Sequence, residues 1–176
     1  MEQTNPDVFL QFLRELGDGT RELSRLEIGG SGALILAGLL RRATEDINAV
    51  DEVSAAIRSD HALLDSLAKR YGLRLTHFQS HYLPQGWRER LHSLGRFGAL
   101  DVLLVDASDI FVRKLLSNRE KDLDDLRVLA TTLDRNALAI RLRDSAQPLL
   151  AEPTLRQNAA RNWYIVYAEQ LPLPSQ

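Results

Sequence analysis

The stretch "GGSGALILAGLLRRATEDIN", Gly29 to Asn48, decides how this chain folds. It follows "RLEIGG", where Leu26 and Ile28 alternate with charged neighbours, so a short buried strand runs into a Gly-Gly-Ser turn. The apolar residues beyond predict a helix over Ser31 to Arg42, and "EDINAV" a second strand with Ile47 and Val50 available to the core. Glycines between a strand and a helix permit backbone angles closed to other residues and let a ligand approach the main chain. The first N–H groups of the helix have no partner within it, and with the Ser31 hydroxyl they make a cradle for an anion. The plainer reading of the same turn is packing alone. Residues two apart on a strand share a face, so Asp46 and Asn48 point together to the side that the turn faces. Paired acids in that arrangement hold magnesium against a triphosphate. Thr44 stands just before them, and Arg41 and Arg42 can reach phosphates or complement the helix dipole.

Outward from this stretch, Asp7 can cap a first helix whose apolar stripe is Val8, Phe9, Phe12, Leu13 and Leu16 and which Gly17 ends. Val53, Ile57, Leu64, Leu67 and Tyr71 keep helical spacing, which predicts one long helix from Glu52 to Arg70 closed by Gly72. "LRLTHF" alternates as a third strand, "PQGWRERLH" reads as a loop and a short helix, and "ALDVLLVD" as a buried strand. Helices are then predicted over Ser108 to Leu116, Asp122 to Leu133, Arg135 to Arg143 and Pro153 to Glu169, before a frayed "PLPS". Strands alternate with helices to about residue 106, and only helices follow. The expected fold is therefore α/β (α+β), a mixed sheet with flanking helices over 1–106 and a helical C-terminal region over 107–176 packed on it.

Composition narrows the classes of function. At 176 residues, 44% apolar and 26% charged, the chain reads as an ordinary globular protein. Its formal net charge of −2 gives no bulk field toward nucleic acid or membrane. The absence of cysteine excludes disulfides and thiolate metal sites. "MEQTNPDVFL" lacks the basic-then-apolar form of a signal peptide, and the apolar run Ala33 to Leu40 is too short to span a bilayer, so the cytoplasm is the expected address.

The Gly-Gly-Ser turn followed by Thr44, Asp46 and Asn48 resembles the Gly-Gly/Ser and Thr-x-Asp-x-Asp signature of the polymerase-β-like nucleotidyltransferase superfamily. A second block, "LLVDASDIFVRKLLSNREKDLDDLRVLA", is similar to the strand, lysine-bearing helix and Arg-x-x-Asp-x-x-Asp-Leu helix of its small bacterial minimal branch, which includes abortive-infection and tRNA-modifying toxins. The resemblance implies a nucleotide site at Gly29, Gly30, Ser31, Arg42 and Thr44, with Asp46 and Asn48 as magnesium ligands. It implies that Lys114 steadies the triphosphate or the transferred group, and that Asp122 and Asp125 orient Lys114 or Arg119. Magnesium with a nucleoside triphosphate would be the cofactor, and an RNA or a protein hydroxyl the acceptor, with no membrane partner. Read without the resemblance, Asp122 and Asp125 are a solvated helix face pairing with Lys121 and Arg127, and Lys114 is a surface lysine.

The chain departs from that pattern twice. Where the family has a second acid it has Asn48, and losing one charge about 4 Å from a cation costs about 4 kcal/mol per unit of cation charge at an effective dielectric of 20. Nucleotide binding should survive this better than transfer. The third acid belongs on the strand after the long helix, yet "LRLTHFQSHYLP" has no carboxylate; Asp101 is the nearest substitute. His77 and His81 read as solvated or hydrogen-bonded, since on a strand they lie about 13 Å apart. Trp87, Trp163, Tyr164 and Tyr167 could stack on a base, although helical spacing assigns Trp163 to the core. Two functions follow: transfer of a nucleoside monophosphate, or a catalytically degenerate module that binds nucleotide or a partner.

Overall fold

The computed structural model describes residues 4–173, so part of the expected "PLPS" tail and the first three residues lie outside it. The chain divides into two compact units: the part up to Ser80 together with Leu91–Val105, and His81–Arg90 together with the part from Asp106 onward.

The first unit opens with α1, Pro6–Gly19. Asn5 rather than Asp7 caps it, its side-chain oxygen accepting the Asp7 N–H at 2.9 Å, and Pro6 occupies a position that needs no N–H. Gly17 does not end the helix. It is small because a Cβ there would fall 1.8 Å from the Phe97 carbonyl oxygen. β1, Ser24–Gly29, leads into α2, Gly30–Leu36, which is seven residues long rather than twelve. Gly38 takes a left-handed φ of +75°, and the Gly38 and Leu39 N–H groups return to the carbonyls of Ile35 and Leu34, a glycine-made stop. β2, Asp46–Val50, follows. The expected long helix is two, α3 at Ala55–Arg58 and α4 at His61–Tyr71, because the Asp60 side chain accepts the Leu63 N–H and starts a new helix. Gly72 closes α4 as expected, at φ +65°.

β3, Arg74–Phe78, is followed by β4, His92–Phe97, and β5, Leu100–Leu104. β4 was not expected, since "HSLGRF" does not alternate, and its register with β5 shifts between Ser93 and Gly95. Among the described residues the sheet has five strands in the order β3-β2-β1-β5-β4. β1 runs antiparallel to β2 and parallel to β5, and β2 runs parallel to β3.

Strand alternation divides this sheet chemically. Leu26, Ile28, Ile47, Ala49, Leu100 and Val102 are buried in the core. α1 and α2 lie on that face, since a Cβ on Gly32 would touch Phe9 and Ile28. The opposite face carries Glu27, Gly29, Asp46, Asn48, Arg74 and Thr76, of which Asp46 and Arg74 are exposed.

The second unit is helical: α5 at Ala107–Leu115, α6 at Glu120–Leu129, α7 at Arg135–Ser145, a short α8 at Gln147–Leu150, and α9 at Pro153–Tyr167. Asp106, Asp134 and Glu152 cap α5, α7 and α9 through their carboxylates. Arg90 ties the 81–90 segment to α5 by donating to both oxygens of the fully buried Asp109, and Arg141 of α7 donates to the same carboxylate. Phe111, Leu126, Leu138, Leu142 and Trp163 form the core. No helix among the described residues is long and apolar enough to cross a membrane.

Candidate nucleotide site

Gly30 sits at φ +61°, where a side chain is strained, and a Cβ there would meet Asn48 Nδ2 at 2.3 Å. Gly29 is the register partner of Asn48 across the antiparallel pair, and a Cβ on Gly32 would stand 3.6 Å from the Asp46 carbonyl oxygen. The Gly-Gly-Ser turn and the start of β2 therefore meet. Glycine here lets the main chain lie against the Asn48 amide.

The other expected residues of this unit take different parts. Ser31 is buried, and its Oγ accepts from Arg42 Nη2 at 2.5 Å, so Arg42 folds back on the turn. Because α2 is so short, its dipole adds less than a twelve-residue helix would. Thr44 fixes the approach to β2: its N–H donates to Thr4 Oγ1 at 2.9 Å, and its carbonyl accepts from the same hydroxyl at 3.2 Å.

Asp46 and Asn48 share a face but not an environment. The Asp46 carboxylate is exposed and has no partner among the described residues. Asn48 is half-buried, and its Oδ1 accepts from the Thr76 hydroxyl at 2.8 Å. The positions of β3 on this face are Arg74, beside Asp46, and Thr76, beside Asn48, so the strand that was expected to bring a third acid brings a cation and a hydroxyl. Asp101 does not replace that acid. It pairs in register with Arg25 and Arg96, about 20 Å along the strands from the level of Asp46. His77 points to the other face and bonds the Asp51 carbonyl through Nδ1 at 2.9 Å, while His81 lies in a short turn with its ring edge-on to Tyr82.

Among the described residues no three His, Cys, Asp or Glu side chains gather as a metal group. A magnesium ion that arrives on a triphosphate needs only one or two carboxylates, and Asp46 can supply one. The residues present fit one such ion and do not fit a pair of ions held by the protein.

Lys114, Asp122 and Asp125 form a cluster of their own in the helical unit. Lys114 Nζ lies 2.7 Å from Asp122 and 2.8 Å from Asp125, and all three residues are at most 4% exposed. The solvated-face reading is thus overturned, and so is the surface-lysine reading of Lys114. Arg127 pairs with Asp124, and Arg119 precedes α6 without a side-chain cap. Burial acts to raise the Asp122 carboxyl, but the charge and hydrogen bond of Lys114, the Ser117 hydroxyl and the charge of Arg113 together hold it below the usual aspartate range.

A family model described as "Nucleotidyltransferase of unknown function (DUF6036)" matches residues 9–170. The chain belongs to this nucleotidyltransferase family. The match spans both the Gly-Gly-Ser block and the Lys114 block. Searches of the curated proteins and of the solved structures each found no significant match. In this nucleotidyltransferase-family chain the sequence reading missed Arg74 and Thr76, although the alternation of "LRLTHF" places both on one face. It also missed Asn162, buried and donating to the carbonyls of Leu115 and Ser117, for which the sequence carries no distinguishing signal. Of the aromatic residues, Trp163 packs edge-on against Phe111 and 4.5 Å from the Tyr167 ring, Trp87 is buried under Arg88, and Tyr164 is exposed.

Proposed function

We propose that the chain binds a nucleoside triphosphate with its magnesium ion on the open face of the sheet, and that nucleotidyl transfer there is crippled. The observation that carries this reading is the contrast between Asp46, an exposed carboxylate with no partner among the described residues, and Asn48, a neutral amide bonded to Thr76. Asp46 would hold the incoming ion, and Arg42 adds positive charge beside Ser31. A bound magnesium ion would neutralise phosphate charge. The two sequence blocks also support a relation to the small bacterial minimal branch of the polymerase-β-like superfamily, which includes abortive-infection and tRNA-modifying toxins.

The second reading is an active enzyme, favoured by the family match over residues 9–170 together with the exposed carboxylate of Asp46. An RNA or protein hydroxyl would attack the α-phosphate in line. The oxygen–phosphorus bond to the acceptor would form as pyrophosphate leaves, and the hydroxyl proton would pass to solvent.

The test is incubation with each α-labelled triphosphate, magnesium and total RNA or protein. We expect saturable binding, weakened by Asp46→Ala, with label transfer only after Asn48→Asp. Transfer by the natural protein would establish the second reading, and absence of binding would remove both.

A further inference from the structure

Arg74 opens β3 as the register partner of Asp46, about 4.8 Å away at the spacing of neighbouring strands. Two residues on, Thr76 reaches Asn48 across the same pair of strands, so strand alternation puts Arg74 on the Asp46 face. Arg74 is exposed, and its guanidinium makes no ion pair among the described residues, not even with Asp46. An arginine beside a carboxylate commonly closes on it in two parallel hydrogen bonds. Here both groups stay open on one surface.

The balance of charge decides what this surface can hold. Asp46 and Arg74 sum to zero, Asn48 and Thr76 add nothing, and Glu27 on the same face is paired with Arg25, so this patch has no excess negative charge to hold a second divalent cation. A guanidinium matches a phosphate in charge and in its two-pronged geometry. We infer that Arg74 binds the triphosphate directly, doing with a fixed guanidinium the charge neutralisation that a second cation would do, so that part of the nucleotide affinity is independent of magnesium. This rests on the proposed nucleotide site and adds one residue and one property to it.

The two groups should respond oppositely when the ion is removed. With magnesium present Asp46 attracts the complexed nucleotide, and in chelator its bare charge repels the phosphates. Arg74 attracts them in both conditions. The experiment is calorimetric titration of the full chain with ATP and with GTP, in excess magnesium and in EDTA. It compares the natural protein with Arg74→Ala, Arg74→Lys and Asp46→Asn, each checked for an unchanged melting temperature. We expect Arg74→Ala to weaken binding in EDTA roughly tenfold, the size of one charge-assisted hydrogen bond. Arg74→Lys should recover part of that loss. Asp46→Asn should tighten binding in EDTA and weaken it in magnesium. If the natural protein binds with magnesium but not at all in EDTA, or if Arg74→Ala binds as the natural protein does, the role of Arg74 is overturned and the nucleotide site stands. If no nucleotide binds in either condition, the site itself falls, and Arg74 with it.

Discussion

Asp46 and Asp122 are both acids in the blocks that carry the family resemblance, yet the fold treats them in opposite ways. Asp46 opens a strand with its carboxylate in solvent and no partner among the described residues, beside a glycine turn. Asp122 is 4% exposed and held by Lys114 and Ser117, with Arg113 at 3.7 Å. A carboxylate kept out of ion pairs is ready for a ligand from outside. One surrounded by donors has already exchanged its water for protein groups, and its contribution is to the fold. The difference shows that a motif position tells which residue is present, while burial and partners tell what it is free to do.

The largest expected effect would break that comparison outright. Lys114→Met removes the ammonium that bridges two buried carboxylates, leaving Asp122 to Ser117 and the more distant Arg113, and should cost about 3–5 kcal/mol of stability in urea unfolding. A loss below 1 kcal/mol would mean that Lys114 is as free as Asp46. Gly30→Ala comes next, at about 1–2 kcal/mol for a side chain in the left-handed region. It should also push Asn48 off Thr76, visible as a shifted Asn48 amide resonance.

Acid titration sharpens the contrast further. The folded carboxyl of Asp122 lies below its ordinary 3.8, so its stabilisation is complete above that value and is lost as pH falls through the lowered one. Unfolding free energy should therefore drop below about pH 4. In Lys114→Met, where burial is opposed only by Ser117 and Arg113, the acid midpoint should move to higher pH. The smallest effect is expected at Asp46→Ala. An exposed, unpartnered side chain should change stability by less than about 0.5 kcal/mol while nucleotide binding falls. A larger loss of stability would show that Asp46 is structural after all.

Much of this architecture was legible in local sequence. "RLEIGG", "EDINAV" and "LRLTHF" form strands because β-branched and leucine side chains alternate with polar ones, and Gly72 stops α4 because it alone there takes a left-handed φ cheaply. The errors have local causes as well. Gly38 ended α2 early through its own left-handed turn, and Asp60 restarted a helix that periodicity carried straight through. β4 escaped notice because its pairing with β5, rather than any alternation of its own, makes it a strand.

The sequence by itself determined the order of the strands and helices apart from β4, α8 and the break between α3 and α4, the family, and the identity of the groups available for chemistry, including the loss of an acid at Asn48. These are properties of neighbours along the chain. The tertiary structure alone decided that Arg74 stands beside Asp46, that Thr76 occupies the Asn48 amide, and that Lys114 is enclosed by two carboxylates. Register between strands 28 residues apart, and the desolvation that follows packing, arise from contacts between distant segments, and no local pattern encodes them.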